Sequence, residues 1–551
     1  MNTETKKCQD CKEKFTISSE EKLMYERIGV VEPKKCFFCR VKQHLAFWVF
    51  GKFRKGVSDL SGESLITVLP EKVRHPIYKS KEWWGDGWDP MAFGRPFDPI
   101  RSFFEQLKEL QEKTPRAHQT GDHNTGCDWC DDVWESKNCY LARSMLRCEN
   151  LSYGYRCVDI KDSIDLAYCF KMDQSYDDVF CFNSYNLMYS KNCRDCIDSF
   201  FLFDCRNCTN CFMCWNSRNK SYCILNKQYS KEEYQQKISE YDLSSQEQIK
   251  QLKKEYQTLL QKEAIHRPNF NFKTINSTGN FLTNCRNCIN AFNLENAENC
   301  YNFLRGLDNK DIIDLTGCWS QEFSGNDSCC TKGYQLKYSS WSESRYSEYL
   351  DLCYDCEYCF GCVGLRKKKY CILNIQYSKE EYEKLRSLII EQMERDGVYG
   401  EFLPYNMGLA PYNMTTGMMY FPQVTKVEIE KHNGYWEDII ESKVEGLPTS
   451  ELPDNIKDVP DDFTTQALIC PETGYRFNIA PHELEFYKRK KIPLPRVHFD
   501  ARTLKRVSFV TVLKAYTYKC VYCEKSIEAY YPPEWGYKKI ACEECYKNEV
   551  L

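Results

Sequence analysis

Along residues 127–223 the hydrophobic and polar positions follow neither the 3.6-residue period of a helix nor a simple two-residue alternation. All fourteen cysteines from Cys127 to Cys223 are separated by multiples of three, and Cys157, Cys169, Cys181, Cys193 and Cys205 fall at successive twelve-residue intervals. A fixed recurrence of this kind predicts a solenoid in which each repeat stacks on the last. Local chemistry agrees, because NCYLARSMLRCENLSYGYRC suits short strands and corners better than helix. Asn precedes Cys at Asn138, Asn192, Asn207, Asn210, Asn284, Asn287 and Asn299. It tolerates the left-handed backbone and can ladder through its amide, both useful at stacked corners. The phenylalanines Phe170, Phe180, Phe182, Phe200, Phe201 and Phe203 call for a wide interior, so coils of about 21–24 residues, two cysteine positions to each, are expected.

The chain is internally duplicated. Cys205, Cys208, Cys211, Cys214 and Cys223 are followed 148 positions later by Cys353, Cys356, Cys359, Cys362 and Cys371. Each set runs into nearly the same words, YCILNKQYSKEEY and YCILNIQYSKEEY. Cys285, Cys288, Cys300, Cys318 and Cys330 stand in a different three-residue phase from Cys353 onward, so an insertion or irregular coil is expected between them. Each signature reads as the end of a solenoid half. After it, Ser230 with Glu233 and Ser378 with Glu381 form capping boxes for helices. A long amphipathic helix is predicted over 243–263, and another over 98–113 starting at Asp98–Pro99. The aromatic stretch 82–97 reads as a loop packed on a core.

The ends carry metal-ligand spacing. Cys8 and Cys11 precede Cys36 and Cys39, and Cys520 and Cys523 precede Cys542 and Cys545 at a separation usual for zinc ribbons. Two CxxC knuckles can offer four thiolates to one tetrahedral Zn²⁺, a closed structural site. Aligning Phe15 with Phe477 places Tyr25 on Tyr487, Arg40 on Arg502, Cys8 on Cys470 and Cys36 on His498. Thr473 and Ala501 then replace Cys11 and Cys39, so 461–510 reads as a ribbon with half its ligands lost. Its fold would be held by Phe477, Phe486, Tyr487 and the prolines, without metal. Cys205, Cys208, Cys211 and Cys214, with Cys353, Cys356, Cys359 and Cys362, are further metal candidates, giving two Zn²⁺ sites or as many as four. An iron–sulfur cluster is the alternative there, against which Trp215 and Val363 stand where the bacterial ferredoxin run has proline. The remaining cysteines read as small buried hydrophobes. His118, Asp122, His123, Cys127 and Cys130 read as a polar cap and entry loop, with a fifth metal site or a Cys–His pair as the alternatives.

At 551 residues the chain exceeds a single core. Its mean hydropathy of −0.62 and lack of a long apolar run exclude a membrane span, and the N-terminus has no secretory signal. A cytoplasmic location with reduced thiols is therefore expected. Against a net charge of −4, residues 1–56 carry +6 and 486–520 carry +9, leaving −19 on the rest. Basic ends of this kind suit a polyanion, so partners are protein or nucleic acid, with no membrane. Phosphate-loop, dinucleotide and HExxH motifs are absent, which argues against an enzyme.

The predicted architecture is mainly β with α insertions, a cysteine-rich β-solenoid in two halves flanked by zinc-ribbon domains. Its segments are a ribbon (1–45), an aromatic-rich linker with helix (46–117), solenoid half 1 (118–228), a helical insert (229–275) and solenoid half 2 (276–376). A helix and linker region (377–460), the degenerate ribbon (461–510) and a final ribbon (511–551) complete it. The function expected is a zinc-binding, non-enzymatic structural or interaction scaffold, with thiol redox or metal handling as the alternative.

The N-terminal set Cys8, Cys11, Phe15, Glu21, Tyr25, Gly29, Pro33, Cys36, Cys39 and Arg40 resembles a zinc-ribbon domain family. HPIYKSKEWWGDGWDPMAFGRPFD, SKNCYLARSM, YCILNKQYSKEEY and PHELEFYKRKKIPLPR are similar to segments of large cysteine-rich proteins of uncultivated small-genome bacteria. That resemblance implies zinc binding and no further activity.

Overall fold

Inward-facing side chains of small volume set the geometry of the repeats. In the computed structural model, which describes residues 3–438 and 445–551, every third residue from Asp132 to Leu225 adopts a left-handed backbone, with φ between 44° and 63°. The residue after each corner points inward. These inward positions are Cys, Ser, Leu, Met, Ala, Val or Ile almost throughout, and their apolar members form one continuous buried core from Cys127 to Cys223. Strands pair in parallel, each residue opposite the one twelve positions on, as in Cys130↔Ala142, Tyr155↔Ala167, Phe170↔Phe182 and Cys211↔Cys223. Each twelve-residue pairing step thus contains four three-residue corners, a repeat about half as long as the coil expected from the sequence. The phenylalanines that suggested a wide interior never enter it. Phe180 and Phe201 are corner residues, and Phe170, Phe182, Phe200 and Phe203 occupy the position between the inward residue and the next corner.

Corner strain is met by hydrogen bonding. Asn138 N–H donates to Thr125 O and Asn150 N–H to Lys137 O, so each left-handed residue is tied to the preceding turn. Asn and Asp tolerate this conformation best. Their side chains also ladder: Asn276, Asn287, Asn299 and Asp311 are linked at 3.1, 3.0 and 2.9 Å. Inside, the Ser136 hydroxyl accepts from Cys148 N–H, and the Cys148 thiol donates to the carbonyls of Leu146 and Cys157. These interior polar groups are thus satisfied between neighbouring turns, whereas the Gln321 side chain and one oxygen each of Asp178 and Asp327 are buried without a partner among the described residues.

The chain divides into two compact units. One comprises Met1–Gln119 with Phe270–Asp438, the other Thr120–Asn269 with Ile439–Leu551. Residues 1–2, in the first predicted segment, and 439–444, in the 377–460 region, lie outside the described residues. Strand exceeds helix, at 31% against 25%, so the molecule is mainly β in the broad sense expected.

In the second unit a 12-stranded sheet holds the parallel turns. Pairings among the strands Tyr155–Val158, Lys161–Ala167, Tyr176–Val179, Phe182–Met188 and Phe170–Asp173 close into a five-membered ring. Parallel pairing ends where Ser221–Ile224 turns back antiparallel onto Lys227–Gln228. Helix Lys231–Ile238 follows, with the predicted Ser230–Glu233 capping box, and helix Gln246–Lys262 buries Ile249, Leu252, Tyr256 and Leu260.

The first unit repeats this plan with a 9-stranded sheet. Left-handed corners recur from Phe281 to Trp341 every third residue, Lys332 excepted, and again from Tyr346 to Leu373. The phase change seen in the cysteines arises at Glu343/Ser344, where the register shifts. Ser340 pairs with Asp351, so that turn is one residue shorter than its neighbours: of the insertion or irregular coil expected there, the structure has the irregular coil. Antiparallel Cys371–Ile372 and Ile375–Gln376 end the parallel run, and helix Lys379–Arg395 begins at the Ser378–Glu381 capping box.

Helix 98–113 is shorter than predicted. It runs Phe103–Lys113 because Asp98 instead closes a turn: its carboxylate accepts from Ile100 N–H, and Gln106 reaches back to its carbonyl and N–H. The 82–97 aromatic segment is packed as expected, with Trp83 buried and its indole N–H on Pro115 O. Arg366 lies over the Trp83 and Trp88 rings.

Candidate metal centres

Two four-cysteine groups are assembled by the same backbone device. In the first unit the antiparallel strands Glu4–Lys7 and Lys14–Ile17 bring the chain into a knuckle. Cys8 N–H donates to Glu13 O, Lys12 N–H returns to Cys8 O, and Lys12 takes a left-handed φ of 65°. Cys36 is the N-cap of helix Phe37–Leu45, which places Cys39 in the first turn. The Cys36 N–H donates to Cys8 Sγ at 3.3 Å, and Cys11 Sγ lies 3.7 Å from Cys36 Sγ.

The second unit repeats each contact. Between Tyr516–Lys519 and Ser526–Ala529, Cys520 N–H donates to Lys525 O and Glu524 N–H to Cys520 O, with Glu524 at φ 58°. Cys542 caps helix Glu543–Val550, its N–H donates to Cys520 Sγ at 3.2 Å, and Cys523 Sγ lies 3.8 Å from Cys542 Sγ.

In each group all four sulfurs lie within 4.8 Å of one another. Four thiolates around a tetrahedral ion with metal–sulfur bonds of about 2.3 Å would be ~3.8 Å apart. Both groups could therefore hold a metal ion with little rearrangement. Thiol acidity is already split within them. Hydrogen bonding from Cys39 brings Cys36 down to about 5, while Cys39 is pushed up by the same contact. Burial raises Cys520, but N–H groups of Cys542, Cys523 and Tyr522 outweigh it and bring the thiol to about 6. Helix N-termini and backbone amides favour thiolate, the ligand form, in both places.

A third knuckle carries the same backbone without the ligands. Cys470 N–H donates to Tyr475 O, Gly474 N–H to Cys470 O, and His498 is the N-cap of helix Phe499–Val507. Thr473 and Ala501 stand at the two missing ligand positions, and the His498 imidazole is turned to its own helix, accepting from Asp500 N–H. Phe477, Phe486 and Tyr487 are buried.

The other candidates are placed differently. Cys205, Cys208, Cys211 and Cys214 point inward from the four sides of one turn, as do Cys353, Cys356, Cys359 and Cys362. Among the described residues neither set brings its sulfurs into a group like those at the ends. Their thiols donate to backbone carbonyls instead, Cys205 to Phe203 and Cys214, and Cys353 to Asp351 and Cys362. Adjacent thiols do touch: Cys208 is held low by hydrogen bonds from Cys196, Cys205 and Cys211. The five residues of the 118–130 segment do not converge either. His118 accepts from Ser80 N–H and is lowered by burial to about 4, His123 is exposed beside Asp122, and Cys127 and Cys130 join the interior column.

What seats the cysteine modules was only half visible in the sequence. Arg40 and Tyr25 converge on Asp314, and Arg502 and Arg506 on Asp165. The aspartates stand 149 positions apart, which is the duplication offset upstream of the short turn. At the far end Tyr546 OH donates to Asp204, which also pairs with Arg218.

Comparison of the chain with protein-family models and with curated proteins finds no match. Among the described residues no helix is long and apolar enough to cross a membrane.

Proposed function

We propose that the protein is a cytoplasmic, zinc-stapled, non-enzymatic interaction scaffold, built as two β-solenoid halves with ribbon modules docked on them. The cysteine-rich proteins its sequence resembles support the zinc-binding part of this reading alone. The observation that carries the reading is the pair of four-cysteine groups, with sulfurs 3.7 and 3.8 Å apart across each pair of knuckles. Four protein ligands close a tetrahedral site and leave no position for substrate, so the ion would act as a staple. Zn²⁺ suits four thiolates and brings no redox chemistry of its own. In such modules metal binding is folding free energy, on the order of 10 kcal/mol apparent in isolated peptides.

The interior cysteines support a packing role. Each fills a small inward position and gives its proton to a neighbouring carbonyl, so it behaves as a compact hydrophobe with a satisfied donor.

A protein partner is favoured over nucleic acid by the fate of the basic segments. Arg27, Arg40 and Lys42 are paired with Asp311, Asp314 and Glu428. In 486–520, Lys488, Arg502, Lys505 and Arg506 are paired with carboxylates, and Lys490 is bound to Gln174 and Asn186. Charges already neutralised internally release few counterions on binding a phosphate backbone. Metal analysis of the purified chain tests the staple, and salt-dependent binding of a random oligonucleotide tests the partner class. Tight oligonucleotide binding with a steep salt slope would reverse the partner assignment.

A further inference from the structure

The second unit contains a cavity of about 640 Å³, within the size range of small-molecule sites. One side is aromatic: Tyr189, Phe201, Tyr256, Phe509, Trp535 and Tyr537 all line it. Phe509 and Trp535 are stacked at 5.7 Å and 14°, and Trp535 and Tyr537 remain half-buried. An aromatic lining of this breadth is suited to a flat ring.

The rest of the lining is cationic beyond what its carboxylates balance. Arg502 and Arg506 share Asp165, while Arg506 and Lys253 share Asp177. Among the described residues the Arg496 guanidinium donates to the carbonyls of Thr449 and Pro453. Lys191 pairs with no carboxylate among the described residues; its ammonium lies 5.3 Å from the Phe509 ring centroid. Lys250 and Lys505 are balanced by Glu247 and Glu472. Five cations against the paired Asp165 and Asp177, with Asp454 acting on Arg496, leave a net positive charge around one cavity. Burial pulls the Lys191 ammonium below its ordinary value, which is the penalty an anion beside it would remove.

We propose that this cavity binds a phosphate monoester that carries an aromatic base, of the mononucleotide class, its ring against the aromatic side and its phosphate against Lys191 and the arginines. The ligand is a free mononucleotide or the 5′-phosphorylated end of a nucleic-acid strand, which present the same chemistry. Trp535 and Tyr537 stand between the two ligand pairs of the C-terminal cysteine group, so the metal-replete full chain is the form to test.

Calorimetric titration with adenosine 5′-monophosphate is expected to give saturable binding. Adenosine alone and inorganic phosphate alone each lack half the recognised chemistry and bind more weakly. Lys191→Met weakens the mononucleotide by about tenfold or more, and Lys191→Arg retains it, which separates lost charge from lost folding. A 5′-phosphorylated oligodeoxyadenylate that binds more tightly than the monophosphate identifies the strand end as the source, and weaker binding identifies the free nucleotide. No saturable binding of the monophosphate, equal binding of adenosine, or wild-type affinity in Lys191→Met would each overturn the proposal.

Discussion

Arg40 places its Nη2 2.6 Å from Asp314 Oδ1, and both side chains are buried. Tyr25 OH holds the other carboxylate oxygen at 2.6 Å. The second unit repeats the arrangement with Arg502 on Asp165 at 2.8 Å. Related pairs accompany it. Glu21 accepts from Asn302 as Glu483 accepts from Tyr153, and His44 meets Asn326 where Arg506 meets Asp177. The duplicated object is therefore a cysteine module together with the repeat stack that receives it. One copy of the module has Thr473 and Ala501 where the other has Cys11 and Cys39, and keeps the anchor.

Removing one partner of this buried pair leaves the other uncompensated. Arg40→Met is expected to cost about 3–5 kcal/mol, and the double variant Arg40→Met/Asp314→Asn to recover part of that loss. Hydrogen exchange of the amides in 37–45 reads the effect locally. Additive losses in the double variant would contradict the coupling.

Left-handed corners give a second prediction. Asn287 sits at φ 53° and donates its amide to Asn299 while accepting from Asn276. Asn287→Ala keeps neither the ladder nor the tolerance for this backbone, and is expected to destabilise by about 1–2 kcal/mol. Asn287→Gly loses only the ladder and should fall between alanine and wild type in denaturant midpoint.

Asp178 and Asp327 point into the two interiors at equivalent places, each accepting one backbone N–H, from Ser190 and Ser339. Burial raises both well above the usual carboxylate range, which favours the neutral acid in the folded chain. Folding is unaffected by them below the ordinary value of 3.8 and loses stability as pH rises from there toward the folded value. Asp178→Asn should flatten this dependence, with a gain in melting temperature at pH 8 relative to wild type and none at pH 4. An unchanged pH profile would show that the carboxyl is ionised in place.

The interior thiols separate packing from metal handling. Cys208→Ala is expected to leave metal content unchanged and to lower stability modestly, as removal of a small buried group does. Loss of a metal ion in this variant would revive the cluster reading.

The sequence made the repeat legible because each turn is short and every third residue has the same task. Cysteine spacing and the Asn that precedes it encoded inward position and corner directly. Hydrophobicity alone puts Phe180 and Phe201 in a wide core, whereas both are left-handed corner residues, and Phe201 packs against Phe212 and Tyr256. The ligand pairs at the chain ends were readable from CxxC spacing alone. Asp314 and Asp165 were not, since a buried aspartate in a stack rich in corner Asp and Asn carries no local mark. Only their offset of 149 positions distinguishes them.

The most direct test is metal content per chain after purification under reducing conditions. Two zinc ions are expected, one lost in Cys11→Ser, one lost in Cys523→Ser, and none remaining in the double variant. Iron with visible charge-transfer absorbance, or zinc that persists when both exposed ligands are removed, would contradict the zinc-staple assignment.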